Sequence, residues 1–301
     1  MLRRTLSTLA LSAAVAAGLT APAHASTSGV LFGSLVAPKH GETFAAAQDR
    51  ADAAYGRMRI SRVFYNGAVK PWAGNAGVSG RPVVVSFKYT PLSVSAGTYD
   101  AAIRTFFADA PSSYDVYWSY LHEPEDNIAR GEFTAADYAD AWRHIAELAA
   151  GAALTHPNLH STLILQCYTM NPASGRDWRD YYVPAAQSML AFDCYNHAGK
   201  RNRYGDPANI FKPVTTWSAA NPGIPWGIAE VGSTLGSSDV TGSLRAAWLR
   251  KVGSFLAAQH TAHSTSAVFG IYFDTLGPSG TDYRLTDSAS QSAWRDVVQN
   301  Y

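Results

Sequence analysis

The sequence predicts a single-domain eight-fold β/α barrel, and three observations lead there. Apolar, β-branched segments recur eight times with helix-like stretches between them, the alternation that a closed parallel sheet requires. Most of these segments lack the polar/apolar alternation of a half-exposed sheet, as expected of strands covered on both faces. Residues 26–301 also have about the length that such a barrel takes.

In order, the strands are expected at Val30 to Val36, Arg59 to Phe64, Pro82 to Phe87, Val116 to Leu121, Thr162 to Cys167, Met189 to Asn196, Trp226 to Val231 and Val268 to Phe273. The clearest helices are Phe44 to Tyr55, Tyr99 to Ala108, Ala135 to Ala150, Leu244 to His260 and Ser290 to Val298. Thr134 and Asp137 resemble a capping box at the start of the third, each side chain able to satisfy the other's backbone N–H. No Pro/Ser-rich linker, low-complexity tail or sequence repeat divides residues 26–301.

The first 25 residues follow a different logic. Arg3 and Arg4 precede an apolar stretch from Leu9 to Leu19 and the small-residue pattern Ala23-His24-Ala25, the layout of a secretory signal cleaved after Ala25. No later stretch approaches the roughly 20 apolar residues of a membrane span, so the product is expected to be secreted, soluble and extracellular. With Arg3 and Arg4 discounted from the 24 basic side chains, 22 remain and nearly cancel the 23 acidic ones, which favours neither nucleic acid nor a membrane surface as partner. A neutral polysaccharide or oligosaccharide fits better, with the protein a monomer. Cys167 and Cys194 are the only cysteines, too few for a disulfide-built scaffold or a cysteine metal site. They fall on consecutive expected strands, where a bridge and two free thiols are both compatible with an oxidising compartment.

Barrels of this type build their active sites from strand ends and the loops that follow. Here polar or aromatic groups stand at nearly every expected end: Arg62 with Asn66, Lys88 with Tyr89, His122 with Glu123, Gln166 with Tyr168, Asp193 with Tyr195 and His197, Glu230, and Tyr272 with Asp274. Any one of them alone is equally compatible with capping a loop. Two are distinguished by their setting, since the strand-like segments Val116 to Glu123 and Ile224 to Glu230 each close on a glutamate, 107 residues apart. At about 35 residues per β/α unit, that separation is three strands, opposite sides of one barrel mouth. Two carboxyl groups across a pocket are what glycoside hydrolysis needs, one protonated to donate to the leaving oxygen and one ionised to attack the sugar carbon. The ionised partner itself raises the other's pKa by like-charge repulsion.

Four further segments sharpen this reading. His122-Glu123 closes the fourth strand, Tyr138 through Ile145 carries a Trp142-Arg143-His144 run, Phe192-Asp193-Cys194-Tyr195-Asn196 forms the sixth strand, and Glu230-Val231-Gly232 closes the seventh. Over roughly Tyr117 to Asp274 these resemble the retaining glycoside hydrolases of clan A, most closely family 26, the secreted endo-mannanases and related β-glycanases. Cysteine stands where that family's Asp-Gly-Tyr-Asn motif has glycine, and Pro124, Glu125, Asp126 and Asn127 replace its Met-Asn-Gly stretch. The resemblance implies Glu123 as general acid/base and Glu230 as nucleophile of a double displacement. It also implies that His122 orients the sugar or the acid, that Tyr195 hydrogen-bonds the nucleophile, and that Arg62 lies beside it. Asp193 and Asp274 are taken with this substrate-binding or orienting set.

Trp72, Tyr89 and Trp226 are candidates for stacking on sugar faces. No His-x-His pair, His-Glu-x-x-His helix, phosphate-cradling glycine loop or Gly-x-Ser-x-Gly elbow occurs, so no metal or organic cofactor is expected, and Asp274 would be the leading carboxylate were a metal used. The competing reading is a noncatalytic glycan-binding barrel, which would not need an acid and a nucleophile three strands apart.

Overall fold

A computed structural model describes residues 29–262, 267–277 and 280–301; the expected signal over residues 1–25 lies outside the described residues. Eight parallel strands close into a barrel: β1 (Leu31–Leu35), β2 (Ile60–Phe64), β3 (Val83–Phe87), β4 (Val116–Tyr120), β5 (Leu159–Gln166), β6 (Met189–Asn196), β7 (Trp226–Ser233) and β8 (Ala267–Tyr272). They pair in chain order, and β8 returns to β1. Around them run α1 (Phe44–Tyr55), α2 (Pro91–Ser95), α3 (Asp100–Ala108), α4 (Glu125–Ala129), α5 (Ala135–Ala153), α6 (Ala198–Arg201), α7 (Pro207–Ile210), α8 (Lys212–Ala220), α9 (Ser243–Ala262) and α10 (Ser288–Asn300).

Strand β3 shows why its sequence is a continuous apolar run. Val83, Val85 and Phe87 pack outward among the helices, whereas Val84 joins the lumen cluster with Ile60, Tyr117, Ile164 and Phe269. Both faces are therefore dry, and each fully buried side chain of this kind contributes about 1.5–3 kcal/mol. The helices start where side chains take over orphan backbone donors. Thr134 and Asp137 form the anticipated capping box on α5, and Thr43 and Asp287 cap α1 and α10.

The lumen is layered. Above the apolar floor, Arg62, Ser86, Asp193 and Glu230 are all buried, and above them Leu35, Phe273 and Tyr283 pack with Phe64 and Tyr195 at the mouth. Inward residues stacking in tiers from several strands is how a barrel interior fills. The polar middle tier is unusual for a core and singles out this end.

Two features were not fixed by the sequence. The cysteines are bridged, Cys167 to Cys194, with Cα atoms 5.0 Å apart, tying the end of β5 to β6. Strand β7 carries an irregularity, since Phe192 pairs with Ile228 but the next residue of β6, Asp193, pairs with Glu230, skipping Ala229. Ala229 belongs to the lumen cluster and Val231 to the outer shell, so simple alternation would send Glu230 outward. The extra residue turns Glu230 inward beside Asp193, the re-aiming that bulges perform next to functional sites.

Candidate active site

Glu230 lies inside β7, three residues before its end, where the expected strand stopped at Val231. It is held from two sides. Arg62, wholly buried on β2, donates from Nη2 to Glu230 Oε1 at 3.3 Å, and the Tyr195 hydroxyl on β6 donates to Oε2 at 2.5 Å. Burial holds the Glu230 carboxyl above the usual carboxylate range, and the Arg62 charge and the Tyr195 hydrogen bond oppose that rise.

Arg62 in turn fixes His122. Its Nη1 donates to Ser86 Oγ at 2.8 Å, and Ser86 Oγ lies 3.1 Å from His122 Nδ1. A guanidinium only donates, so the serine oxygen is the acceptor there and its hydrogen is free for the imidazole. With that hydrogen on His122 Nδ1 the ring carries its own proton on Nε2, and in the other tautomer Nδ1 donates to the second lone pair of Ser86 Oγ. Burial, Arg62 and Lys88 all hold His122 well below its ordinary pKa, in keeping with a neutral ring.

Glu123 sits in the turn leaving β4. Leu121 and Glu123 both occupy the left-handed region, with φ of 42° and 52°, uncommon for residues with a Cβ and a form of strain found at functional sites. The surroundings impose it. Leu121 N donates to Phe87 O, Glu123 N donates to Ile164 O, and the Tyr138 hydroxyl donates to the carbonyls of Tyr120 and Leu121. The Glu123 carboxyl is pushed up to about 8, first by burial and then by the charges of Glu230, Glu125 and Asp126. Neighbouring Glu125 is buried; its Oε1 accepts from Gln166 N at 2.8 Å and from Thr169 Oγ1 at 2.7 Å.

Asp193 lines the same cleft, yet neither of its carboxyl oxygens has a hydrogen-bond partner. Burial and the charges of Glu230 and Glu123 raise it well above the carboxylate range, so it is held as the neutral acid. The cleft has a volume of about 760 Å³ and runs from Glu123 along the ends of β5 and β6, past Gln166, Tyr168 and Asn171 to Arg201, Arg203 and Tyr204.

Four sequence candidates lie elsewhere. Trp72 is buried, stacked on Phe106 at 4.8 Å, with its indole N–H on Phe106 O at 2.7 Å. Trp226 is buried at the first residue of β7, the opposite end of the strand from the site. Tyr89 is buried and stacked on Tyr99 at 4.1 Å, its hydroxyl accepting from Val69 N. None of these rings offers a face to a sugar. Asp274 accepts from the Tyr55 hydroxyl at 2.6 Å and from Leu285 N at 2.8 Å, which commits it to joining α1 and the segment before α10. Among the described residues no group of three or more His, Cys, Asp and Glu side chains is placed to hold a metal ion. Tyr168, noted with Gln166 at the end of the fifth strand, lines the cleft with an exposed ring, whereas the mouth residue Tyr283 and the two cleft arginines were not singled out by sequence.

Neither a family sequence model nor any curated protein sequence matches the chain. Solved structures do. The catalytic domain of a family 26 endo-β-1,4-mannanase from Bacillus sp. JAMB-750 superposes with a TM-score of 0.61 at 13% identity, over 89% of this chain and 85% of that one. A modular endo-β-1,4-mannanase of glycoside hydrolase family 26 from Cellulomonas fimi gives 0.58 at 15%, over 89% and 70%. A family 128 endo-β-1,3-glucanase from Amycolatopsis mediterranei, solved with laminaripentaose, gives 0.51 at 15%, over 89% and 99%. The chain shares its closed eight-stranded β/α barrel with these three glycoside hydrolases, each named for action on a β-linked glycan.

Proposed function

We propose that the protein is a secreted retaining glycoside hydrolase that cleaves a β-linked polysaccharide, β-mannan or a related β-glycan, with Glu230 as nucleophile and Glu123 as acid/base. The observation that carries this reading is the asymmetry between the two carboxyl groups. Glu230 is gripped by a buried guanidinium and a phenol, whereas the Glu123 carboxyl has no such partner and is pushed up to about 8. The Arg62 and Tyr195 contacts thus favour the charged form of Glu230, while Glu123 favours its protonated form at neutral pH.

From this starting state Glu230 attacks the anomeric carbon as the bond from that carbon to the glycosidic oxygen breaks, and the Glu123 proton passes to that oxygen, so the leaving sugar departs as an alcohol and a glycosyl ester remains. The ester carries no charge, so the repulsion that raised Glu123 disappears and its pKa falls. Glu123 then takes a proton from water as that water attacks the anomeric carbon, which breaks the ester bond and frees the Glu230 carboxylate. His122, held neutral by burial and by the Arg62 and Lys88 charges, hydrogen-bonds a sugar hydroxyl through Nε2.

Reducing-end release from mannan, mixed-linkage glucan and xylan tests the activity, comparing wild type with Glu230→Ala, and NMR of the first product tests the stereochemistry. A β anomer from a β-linked substrate is expected, with release abolished in the variant. An initial α anomer would overturn the double displacement, and binding without any release would favour a noncatalytic glycan-binding barrel.

A further inference from the structure

The wall of the cleft formed after β6 carries charge that the two-glutamate chemistry does not use. Most arginines of the described chain are tied to a carboxylate, as Arg62 is to Glu230, Arg176 to Asp126 and Arg245 to Asp287. Arg201 and Arg203 line the cleft, are exposed, and make no ion pair or hydrogen bond to a described residue. Lys200 precedes them, and it joins Arg201 in holding His197, already disfavoured by burial, below its usual pKa. The carboxylate on this wall, Asp206, has one oxygen occupied in capping α7 through Ala208 N.

The backbone that carries the two arginines is nevertheless firmly anchored. Asn202, between them, takes a left-handed φ of 46°, and its Oδ1 accepts from Ser237 Oγ, Ser238 N and Ser238 Oγ at 2.9–3.0 Å. Tyr204 donates to Asp239 Oδ2 and accepts from Gly236 N, and the Trp248 indole N–H holds Gly205 O. Had this turn a purely structural role, its strongest donors would be among the anchors. Instead they are left free on a fixed support, which is how a recognition element is preorganised.

Building on the hydrolase reading, we infer that this arm of the cleft is a subsite for an anionic substituent of the glycan, a uronate carboxylate or a phosphate group, bound by Arg201 and Arg203. Guanidinium forks match the oxygen spacing of both groups. The exposed ring of Tyr168, which lines the same cleft, supplies an apolar surface for the sugar that bears the substituent.

The test uses oligosaccharides of β-1,4-mannan, β-1,4-glucan and β-1,3-glucan, each in neutral form, with C6 oxidised to the uronate, and phosphorylated. Hydrolysis by wild type and by the Arg201→Ala/Arg203→Ala double variant is read as the ratio of kcat/KM for charged over neutral forms. Affinities are measured in parallel by calorimetry in a Glu230→Gln background. For the cleaved backbone, wild type is expected to favour a charged form by about tenfold, an advantage lost in the double variant and reduced in about 0.5 M salt. Whether the uronate or the phosphate arm gives the advantage identifies the anion. Cleavage with no charged-over-neutral preference, or a double variant that weakens both forms alike, overturns the subsite and leaves the hydrolase reading standing. Charge-selective binding without cleavage of any backbone does the reverse.

Discussion

Asp193 and Glu230 stand opposite one another across the β6–β7 pairing, yet only Glu230 has hydrogen-bond partners. Two adjacent buried carboxyls do not both ionise, and the partners decide which one does. Arg62 and Tyr195 bind Glu230, so Asp193 keeps its proton.

A neutral Asp193 has a consequence for stability. Its pKa is raised well above that of an ordinary aspartate, so between the unfolded and folded values the native chain binds a proton that the unfolded chain has lost. Stability from this group is complete below the unfolded pKa and is lost as pH rises through the folded one. Asp193→Asn copies the neutral acid and removes that slope. Denaturation midpoints should therefore favour the variant over wild type at pH 8 by more than at pH 5, and an equal difference at both would show that Asp193 is already ionised.

Tyr195→Phe should cut kcat/KM by about 10–100-fold, the range for a hydrogen bond to a charged group. It should also move the acidic limb of the pH profile upward, because the phenol lowers the Glu230 pKa. An unshifted limb would mean that Tyr195 serves packing alone. Gly232→Ala tests the same contact from behind, since an added Cβ would lie 3.0 Å from ring carbons of both Tyr195 and Tyr283.

The alkaline limb of the profile is assigned to Glu123, whose pKa of about 8 owes part of its rise to the charges of Glu125 and Asp126. Glu125→Gln keeps an acceptor for Gln166 N and Thr169 Oγ1 while removing the charge. The limb should move to lower pH in this variant with KM little changed. A stationary limb would indicate that Glu125 is itself neutral, as its own upward shift from burial permits.

The barrel was legible because strands buried on both faces leave an unbroken apolar signal, and all eight lie within three residues of their expected ends. Glu123 and Glu230 were nameable because a carboxyl closing such a run would otherwise be buried without reason. The inward turn of Glu230 was not legible, since it depends on one skipped residue in the pairing with β6, and pairing register is a property of two strands together. Trp72, Tyr89 and Trp226 show the matching blind spot. Sequence reports an aromatic ring but not whether its face meets a cleft or, as for Trp72, another ring. Arg201 and Arg203 belong to the stretch between β6 and α8, where short helices carry no periodicity strong enough to place a side chain.

The Cys167–Cys194 bridge closes a loop with a sequence separation of 27, for which the chain-entropy account gives about 3–4 kcal/mol of stabilisation. Its position makes this relevant to the site, because Cys167 follows Gln166, the backbone donor to Glu125, and Cys194 lies between Asp193 and Tyr195. Reduction should lower the denaturation midpoint of the wild type by an amount that Cys167→Ser/Cys194→Ser reproduces without reductant. The loss should appear while the barrel remains folded at low denaturant, since the other strand pairings do not pass through the bridge. Identical midpoints for oxidised, reduced and doubly substituted protein would show that the β5 and β6 ends are held by their packing alone.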